Sequence, residues 1–157
     1  MRPNQILAVS LTHSMLSKDR AKAVVDAVER ELFTPYGLRS LSPADARYHG
    51  RYIGDSVARD SSYHQGPVWA WLLGPFIDAY LKVNGEGAEA QVREWLQVFS
   101  AHLAEAGLGH VSEIFDGDPP HLPRGCFAQA WSVAELLRAI VENGLVLTTP
   151  KIAVAEA

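Results

Sequence analysis

Residues 67–81 constrain the fold most, because apolar side chains occupy nearly every side of a helix over this stretch. A helix that is apolar all round is buried, either inside a protein or in a membrane. No stretch of the chain approaches the roughly 20 apolar residues that a membrane span needs. The pattern therefore predicts a deeply buried helix that opens at Pro67, kinks at Pro75 and ends at Asn84-Gly85. Its apolar residues are Val68, Trp69, Trp71, Leu72, Leu73, Phe76, Ile77, Tyr80 and Leu81.

Four further helices follow from apolar residues that repeat at helical spacing, and together they predict an all-α fold. They span about 3–13, 18–32, 88–106 and 127–143, with Ser17 as the N-cap of the second. Residues 1–144 are expected to form the domain, and residues 145–157 a C-terminal tail with some strand propensity at 146–149. The last helix is expected to bury the stripe Ala130, Trp131, Ala134, Leu137 and Val141.

The composition is that of a soluble globular protein and argues against several kinds of partner. The formal net charge of −4 gives no basic footprint for nucleic acid and no polybasic patch for a membrane surface. Cys126 is the one cysteine, so it cannot form an intrachain disulfide. The apolar run at the start is too short and interrupted for a signal peptide. We expect a cytoplasmic protein with neither a nucleic-acid nor a membrane partner.

Two connections between the helices, residues 33–66 and 108–125, are long and irregular. Loops of this length in a compact domain are usually functional or disordered, and these are too rich in Tyr, Arg and His to suggest disorder. If consecutive helices run antiparallel, both loops leave the same end of the fold. The spacing therefore predicts a site where the two loops face each other at one rim.

Both loops carry side chains that suit a carbohydrate. The second has three carboxylates within six positions, at Glu113, Asp116 and Asp118, and the first leads through aromatic and amide groups at residues 63–69 into the buried helix. A sugar offers a flat C–H face and a rim of hydroxyl groups, which match rigid aromatic rings beside hydrogen-bonding groups. The pattern therefore indicates a sugar site.

Each of these residues also has a purely structural interpretation. Glu113 could be a solvated loop acid, and Asp116-Gly117-Asp118 is a good turn sequence. A lone histidine such as His64 more often holds a loop through hydrogen bonds. The four tryptophans are expected in the core, with Trp69 the best exception. The tyrosines of the loops are better placed to be exposed to a ligand than the tryptophans. They are Tyr36, Tyr48, Tyr52 and Tyr63.

Neither a metal nor a cofactor is expected. Cys126 is predicted to open the last helix as a buried structural thiol. Its neighbours include several possible metal ligands, but their spacing matches neither the zinc patterns nor a calcium loop. The sequence also has no phosphate-cradling glycine loop and no nucleophile elbow. The possible ligands are His110, Glu113, Asp116, Asp118, His121 and Cys126.

Five short runs resemble the C-terminal part of glycogen debranching enzymes. They occur in the family's order from Arg2 to about Arg138, which is nearly the whole chain. Each motif alone is modest, but five in order are quite specific. The runs are RPNQ at 2–5, TPYGLRSL at 34–41, YHQG with Val68-Trp69 at 63–69, SEIFDG at 112–117 and QAWS at 129–132.

The resemblance implies about half of an (α/α)6 barrel, a helical toroid like that of glucoamylases and trehalases, with the active site at one rim. It implies a glycoside hydrolase, an amylo-α-1,6-glucosidase that removes the α-1,6-linked glucose at glycogen branch points with inversion. In such an enzyme a carboxylic acid protonates the leaving oxygen while a carboxylate activates water. The implied substrate is an α-glucan, glycogen or limit dextrin.

The resemblance also assigns residues, because the glutamate of the family's SEIFDG run falls on Glu113. Glu113 is thereby implied to be the general base. These residues belong to the two loops that the helix spacing indicates independently. The implied sugar contacts are Tyr63, His64, Gln65, Trp69, Tyr36, Arg39, Tyr52 and Asp116.

The family's general acid, an aspartate, lies upstream of the matched segment and has no counterpart here. With about five of twelve barrel helices, the chain is expected to be a truncated reading frame or fragment that is inactive alone. We expect it to self-associate or to pair with the missing half of the barrel through the apolar surface of helix 67–81. Two alternatives stay open: a non-catalytic α-glucan-binding or assembly module, and a related barrel hydrolase that acts on another glucoside.

Overall fold

The computed structural model describes residues 1–145, and about half of the chain is helical. The predicted strand at 146–149, and all of the predicted tail except Leu145, lie outside the described residues. A 3-10 turn at Pro3–Ile6 leads into the first α-helix, and a second 3-10 turn at Ala70–Leu72 precedes the fourth. The α-helices are α1 (Leu7–Ser10), α2 (Lys18–Leu32), α3 (Ser56–Ser62), α4 (Leu73–Asn84), α5 (Ala88–Glu105) and α6 (Ala130–Glu142).

A five-stranded antiparallel sheet links the two long connections, so the prediction of an all-α fold is wrong. Each strand has two or three residues, too few for the alternation of side chains that marks a strand in sequence. The central pairs join Leu38 to Trp69 and Val68 to Phe115, which lie far apart in the chain. In sheet order the strands are β1 (Phe33–Thr34), β2 (Gly37–Arg39), β3 (Val68–Trp69), β4 (Ile114–Phe115) and β5 (Pro123–Arg124).

The buried helix predicted for residues 67–81 begins at Leu73, because the residues before it form β3 and a 3-10 turn. The prediction of deep burial is confirmed, since Leu73, Phe76 and Ile77 are fully buried. Pro75 is the third residue of α4, where a backbone N–H has no partner within the helix. The predicted kink therefore has no basis, because it requires a proline in the helix interior.

The other long helices largely follow their apolar stripes. The helix predicted for 3–13 is shorter, because Leu11 adopts an extended backbone after α1. α5 ends at Glu105 and is followed by Gly107, whose φ of 70° lies in the left-handed region. α2 begins after Ser17, as predicted, and buries Ala21, Val25, Val28 and Leu32.

α6 turns its predicted apolar stripe outward. Trp131, Leu137 and Val141 are 49%, 59% and 68% exposed, whereas Leu136 and Ala139 are buried. The predicted burial of the stripe is wrong, because α6 carries apolar side chains on two faces and packs with the other one against α4. Periodicity alone does not decide between two apolar faces.

The core is arranged around α4, which contacts α1, α2, α5 and α6. The inner side chains of the sheet join this core, among them Leu38, Ile114 and Phe115, which are fully buried. Helices packed around a small sheet are compatible with part of a helical domain. In the part of the chain that the structure describes, no helix combines the length and apolar character required to cross a membrane.

Candidate active site

The two long connections meet and are joined by hydrogen bonds. The hydroxyl of Tyr63, at the end of α3, donates to Oε1 of Glu113 in the second connection. The backbone N–H of Tyr52 donates to Oδ1 of Asp116 at 2.8 Å. The two loops therefore share one rim of the fold, as the alternation of helix directions predicts.

Glu113 lies immediately before β4, and three donors hold its carboxylate. Its own N–H donates to the carbonyl of Cys126 at 2.8 Å, and the N–H of Cys126 donates to Oε2 at 2.9 Å. The side chain of Gln129 donates to Oε1 at 3.2 Å, and Tyr63 donates to the same oxygen. The pairing of β4 with β5 brings Cys126 beside Glu113 and so fixes the orientation of the carboxylate.

Gly125 allows the backbone to pass close to this carboxylate. Its φ of +67° lies in the left-handed region, and a Cβ at this position would overlap Oε2 of Glu113. Glycine meets both demands without strain. The sequence singles out neither Gly125 nor Gln129, although Gln129 belongs to the QAWS run. Their contacts with the Glu113 carboxylate appear only once the strands are paired.

A cluster of aromatic rings lies beside Glu113, and Tyr63 is the member that contacts the carboxylate. The ring of Tyr63 lies 4.8 Å from that of Trp69 and 5.6 Å from that of Tyr52, measured between centroids. His64 stacks on Trp69 with centroids 5.0 Å apart. Burial, and then the hydrogen bond to the Glu113 carboxylate, raise the pKa of Tyr63 well above its usual range. Its hydroxyl therefore remains a donor at neutral pH.

Two recesses border this group of residues. A mainly apolar recess of about 370 Å³ adjoins Trp69 and His64, and its lining also includes Trp71 and Trp131. A more polar recess of about 560 Å³ adjoins Gly125, and it is lined further by Tyr52, Ile53, Gly54, Arg59 and Arg124. Space for a ligand is thus present next to residues that contact Glu113 or Tyr63.

Several other predicted sugar contacts are engaged within the protein. The carboxylate of Asp116 is buried and accepts from Arg124 Nη2 at 2.9 Å. Arg39 Nε donates to the carbonyl of Gly117 at 2.9 Å, and so links the first loop to the second. The ring of Tyr36 stacks nearly parallel on the ring of Phe115 in β4, with the two centroids 4.4 Å apart. The first of these contacts lies within the second loop, and the other two hold the two loops against each other.

Gln65 is likewise engaged, in this case by Arg2, which lines the first recess. Its side-chain oxygen accepts from Arg2 Nη2 at 2.7 Å. Arg2 also donates to the carbonyl of Ser40 at 3.0 Å and to that of His64. The start of the chain is thereby tied to the segment that carries Tyr63 and Trp69.

The environment of Cys126 differs from the predicted one. The thiol is exposed and α6 begins only at Ala130, so the prediction of a buried thiol at a helix start is wrong. The cause is the strand pairing, which holds the backbone of Cys126 against Glu113 and delays the helix. Residues 1–145 contain no group of three His, Cys, Asp or Glu side chains that could hold a metal ion.

The arrangement suits activation of a water molecule. Glu113 is partly exposed, so its held carboxylate can meet solvent and accept a proton as a general base. The neighbouring rings offer a surface on which the C–H face of a sugar can stack. A held carboxylate beside aromatic rings can therefore serve the hydrolysis of a carbohydrate.

Comparison with known proteins agrees with this chemistry. The glycogen debranching enzyme of Saccharomyces cerevisiae is 29% identical over 86 residues, which cover 51% of this chain. The chain spans only about 6% of the length of that relative. A family model described as amylo-alpha-1,6-glucosidase matches residues 1–138. Because that match covers most of this 157-residue chain, the chain belongs to the amylo-alpha-1,6-glucosidase family.

Proposed function

We propose that this chain is the C-terminal part of the (α/α)6 catalytic domain of an inverting amylo-α-1,6-glucosidase, with Glu113 as the general base. The observation that carries the proposal is the position of the Glu113 carboxylate. Three donors hold it beside a cluster of aromatic rings, at the place where the two long loops meet. Membership of the family supports a glycosidase role. The proposed substrate is an α-glucan, glycogen or limit dextrin, which loses the α-1,6-linked glucose at its branch points.

Inversion requires two carboxyl groups roughly 6.5–9.5 Å apart, on opposite sides of the sugar. Glu113 takes a proton from water, and a carboxylic acid protonates the leaving oxygen. Asp116 is unsuited to be that acid, because it is buried and bonded to Arg124 and Tyr52. In the family that the chain resembles, the acid lies upstream of the matched segment. It is therefore expected from a part of the catalytic domain outside this chain, and the chain alone is expected to be inactive.

The glucose contacts divide into two groups in this proposal. Tyr63 contacts Glu113, and the rings of Tyr52, His64 and Trp69 pack around Tyr63. In this proposal these rings provide the surface against which glucose stacks. The second group acts indirectly, since its members hold the loops that carry the first. It consists of Tyr36, Arg39, Gln65 and Asp116.

Replacing Glu113 by glutamine tests the assignment of the base. General-base catalysis contributes about 10²–10⁴-fold, so Glu113→Gln should lower kcat by that factor in a complete catalytic domain that contains this segment. Oligosaccharide binding should stay nearly normal, because the amide keeps the shape of the side chain. Glu86→Gln, in the exposed turn between α4 and α5, makes the same charge change as a control.

The outcomes separate the proposal from its alternatives. Near-normal turnover by Glu113→Gln would remove Glu113 from the role of base. Oligosaccharide binding without any release of glucose by the unmodified complete domain would favour a non-catalytic α-glucan-binding module. Robust release of glucose by the 157-residue chain alone would contradict the expectation that the acid is supplied from outside it.

We also propose that the outward apolar face of α6 is an interaction surface. It is defined here by Trp131, Ala134, Leu137 and Val141, all exposed along one side of the helix. In a complete catalytic domain the missing half of the barrel would cover this face. In the isolated chain a second copy is the proposed partner.

A further inference from the structure

The two carboxylate oxygens of Glu113 have different numbers of protein partners. Oε1 accepts two hydrogen bonds, from the hydroxyl of Tyr63 and from Nε2 of Gln129. Oε2 accepts one, from the backbone N–H of Cys126 at 2.9 Å. An ionised carboxylate offers about four lone-pair sites, two on each oxygen. Among the donors of residues 1–145, two therefore fill the sites on Oε1, whereas only one of the two sites on Oε2 is filled.

From this asymmetry we infer that Oε2 of Glu113 is the atom that takes the proton from water, and that Tyr63 and Gln129 are positioning residues that hold Oε1. The inference rests on the proposed function. In the step, the water oxygen forms a bond to the anomeric carbon while one water proton passes to Oε2. The bond from that carbon to the leaving oxygen breaks, and the leaving oxygen takes the proton of the carboxylic acid.

The need for positioning follows from the freedom of a glutamate side chain. Its last torsion is broad, so an unrestrained carboxylate turns easily and presents either oxygen. Two donors on Oε1 and one on Oε2 limit that rotation. Tyr63 is itself fixed, because its ring packs against Trp69 and Tyr52. Gly125 leaves room beside Oε2 that a larger residue would fill.

Tyr48 provides a control for a purely structural role of Tyr63, because it makes a similar hydrogen bond between the same two loops. The hydroxyl of Tyr48 also crosses from the first loop to the second, where it donates to Oδ1 of Asp118 at 2.9 Å. Burial, and then this hydrogen bond, raise the pKa of Tyr48 to about 12, so it too remains a donor at neutral pH. Tyr48→Phe therefore removes a similar cross-loop bond that does not involve Glu113.

The first measurement uses the chain itself and needs no catalysis. Nuclear magnetic resonance at neutral pH would follow the backbone N–H of Cys126 and the side-chain amide of Gln129. We expect both signals to shift in Glu113→Gln, because the charged acceptor is lost. In Tyr63→Phe both signals should shift as well, because one of the donors that hold Oε1 is gone. Gln129→Leu, followed at Cys126, should also shift that signal, and Tyr48→Phe should not.

The second measurement is made in a complete catalytic domain that contains this segment. A misplaced reacting group can lower a rate by about 10²-fold, so Tyr63→Phe and Gln129→Leu should each lower kcat about 10- to 100-fold. KM should change little, because the sugar contacts outside these two side chains remain. Tyr48→Phe should keep kcat within about threefold of the unmodified domain, because general-base positioning is intact.

The possible outcomes bear on different claims. If Glu113→Gln abolishes hydrolysis while Tyr63→Phe and Gln129→Leu both behave like Tyr48→Phe, the positioning roles and the assignment of Oε2 are overturned and the base remains. If Glu113→Gln turns over normally, the proposed function itself fails, whatever the resonance shifts are. The inference is supported if Glu113→Gln abolishes hydrolysis, Tyr63→Phe and Gln129→Leu lower kcat and shift the resonances, and Tyr48→Phe does neither.

Discussion

Glu113 and Asp116 are three positions apart in the same loop, yet they have opposite environments. Glu113 is partly exposed, and its carboxylate faces donors from three different residues. Asp116 is 3% exposed, and it accepts from Arg124 and from the N–H of Tyr52. A carboxylate this deeply buried is stable only when it is paired and hydrogen-bonded. Asp116 therefore contributes to the site by fixing the loop that presents Glu113.

Arg124→Gln should show this dependence. The substitution removes the charged donor from buried Asp116, and hydrogen bonds to charged groups are worth about 1.5–3 kcal/mol. Because Arg124 is itself 30% exposed, water compensates part of the loss, and we expect the free energy of unfolding to fall by about 1–2 kcal/mol. Urea denaturation measures it. Arg30→Gln, which breaks an exposed pair with Glu31, is the control and should cost about 0.5 kcal/mol or less.

At the scale of elements, long helices could be predicted from the sequence and short strands could not. α2 and α5 each repeat apolar residues over several turns, so their positions follow from the pattern. The strands are too short to carry a pattern, and their partners come from distant segments. For the same reason the sequence indicates Glu113 and its loop, but gives no role to Gln129 or Gly125.

His102 connects the last turn of α5 to the loop of the site. Its ring is buried, and Nε2 accepts the N–H of Ser112, the residue before Glu113, at 3.1 Å. The aromatic ring of Phe115 packs against it, with centroids 4.9 Å apart. Burial lowers the pKa of His102, opposed more weakly by the nearby charge of Glu105. The folded protein therefore favours the neutral ring, which can accept this hydrogen bond.

The stability of the chain should accordingly depend on pH through His102. The unfolded chain takes a proton on this ring below about pH 6.5, before the folded chain does. The contribution to stability is thus complete above that pH, and it is lost as the pH falls toward the lower pKa of the folded state. We expect the free energy of unfolding to fall between pH 7.5 and 5.5, and to fall less in His102→Gln, whose amide oxygen can accept without titrating.

Urea denaturation across this pH range measures the effect, with His13→Gln as the control because His13 is exposed. The control should keep the full pH slope. An unchanged slope in His102→Gln would mean that other groups produce the dependence, and that the ring of His102 is not preferentially neutral in the fold.

At the scale of the whole molecule, the exposed apolar face is not the one expected from the sequence. The sequence indicates helix 67–81, but most of its apolar residues are buried, and α4 packs against α1, α2, α5 and α6. The outward face of α6 is exposed instead, and Trp131 also lines the apolar recess beside Trp69. Monomeric proteins rarely expose contiguous apolar patches larger than a few hundred Å². A patch formed by a whole helix face and an adjoining recess is typical of an interaction surface.

The isolated chain should therefore self-associate through α6, most simply as a two-fold dimer in which the same face of each copy meets the other. Ala134 lies on this face, and exposed Ala130 precedes it by four positions, so that these small side chains would let two helices approach closely. Size-exclusion chromatography with light scattering should give twice the monomer mass at high concentration. Leu137→Glu should restore the monomer, because it would place a charge in the buried contact.

Met15→Glu is the matched control, since Met15 is 88% exposed and lies outside α6. It should leave the dimer intact, because it adds the same charge where no contact is expected. Binding of a dye that reports exposed apolar surface should be weak in the dimer and stronger in Leu137→Glu, whose α6 face is uncovered while Trp131 and Val141 remain. A monomer at every concentration, with no dye bound, would mean that the face of α6 is not an interaction surface. It would also remove the reason to expect that another half of a barrel covers it.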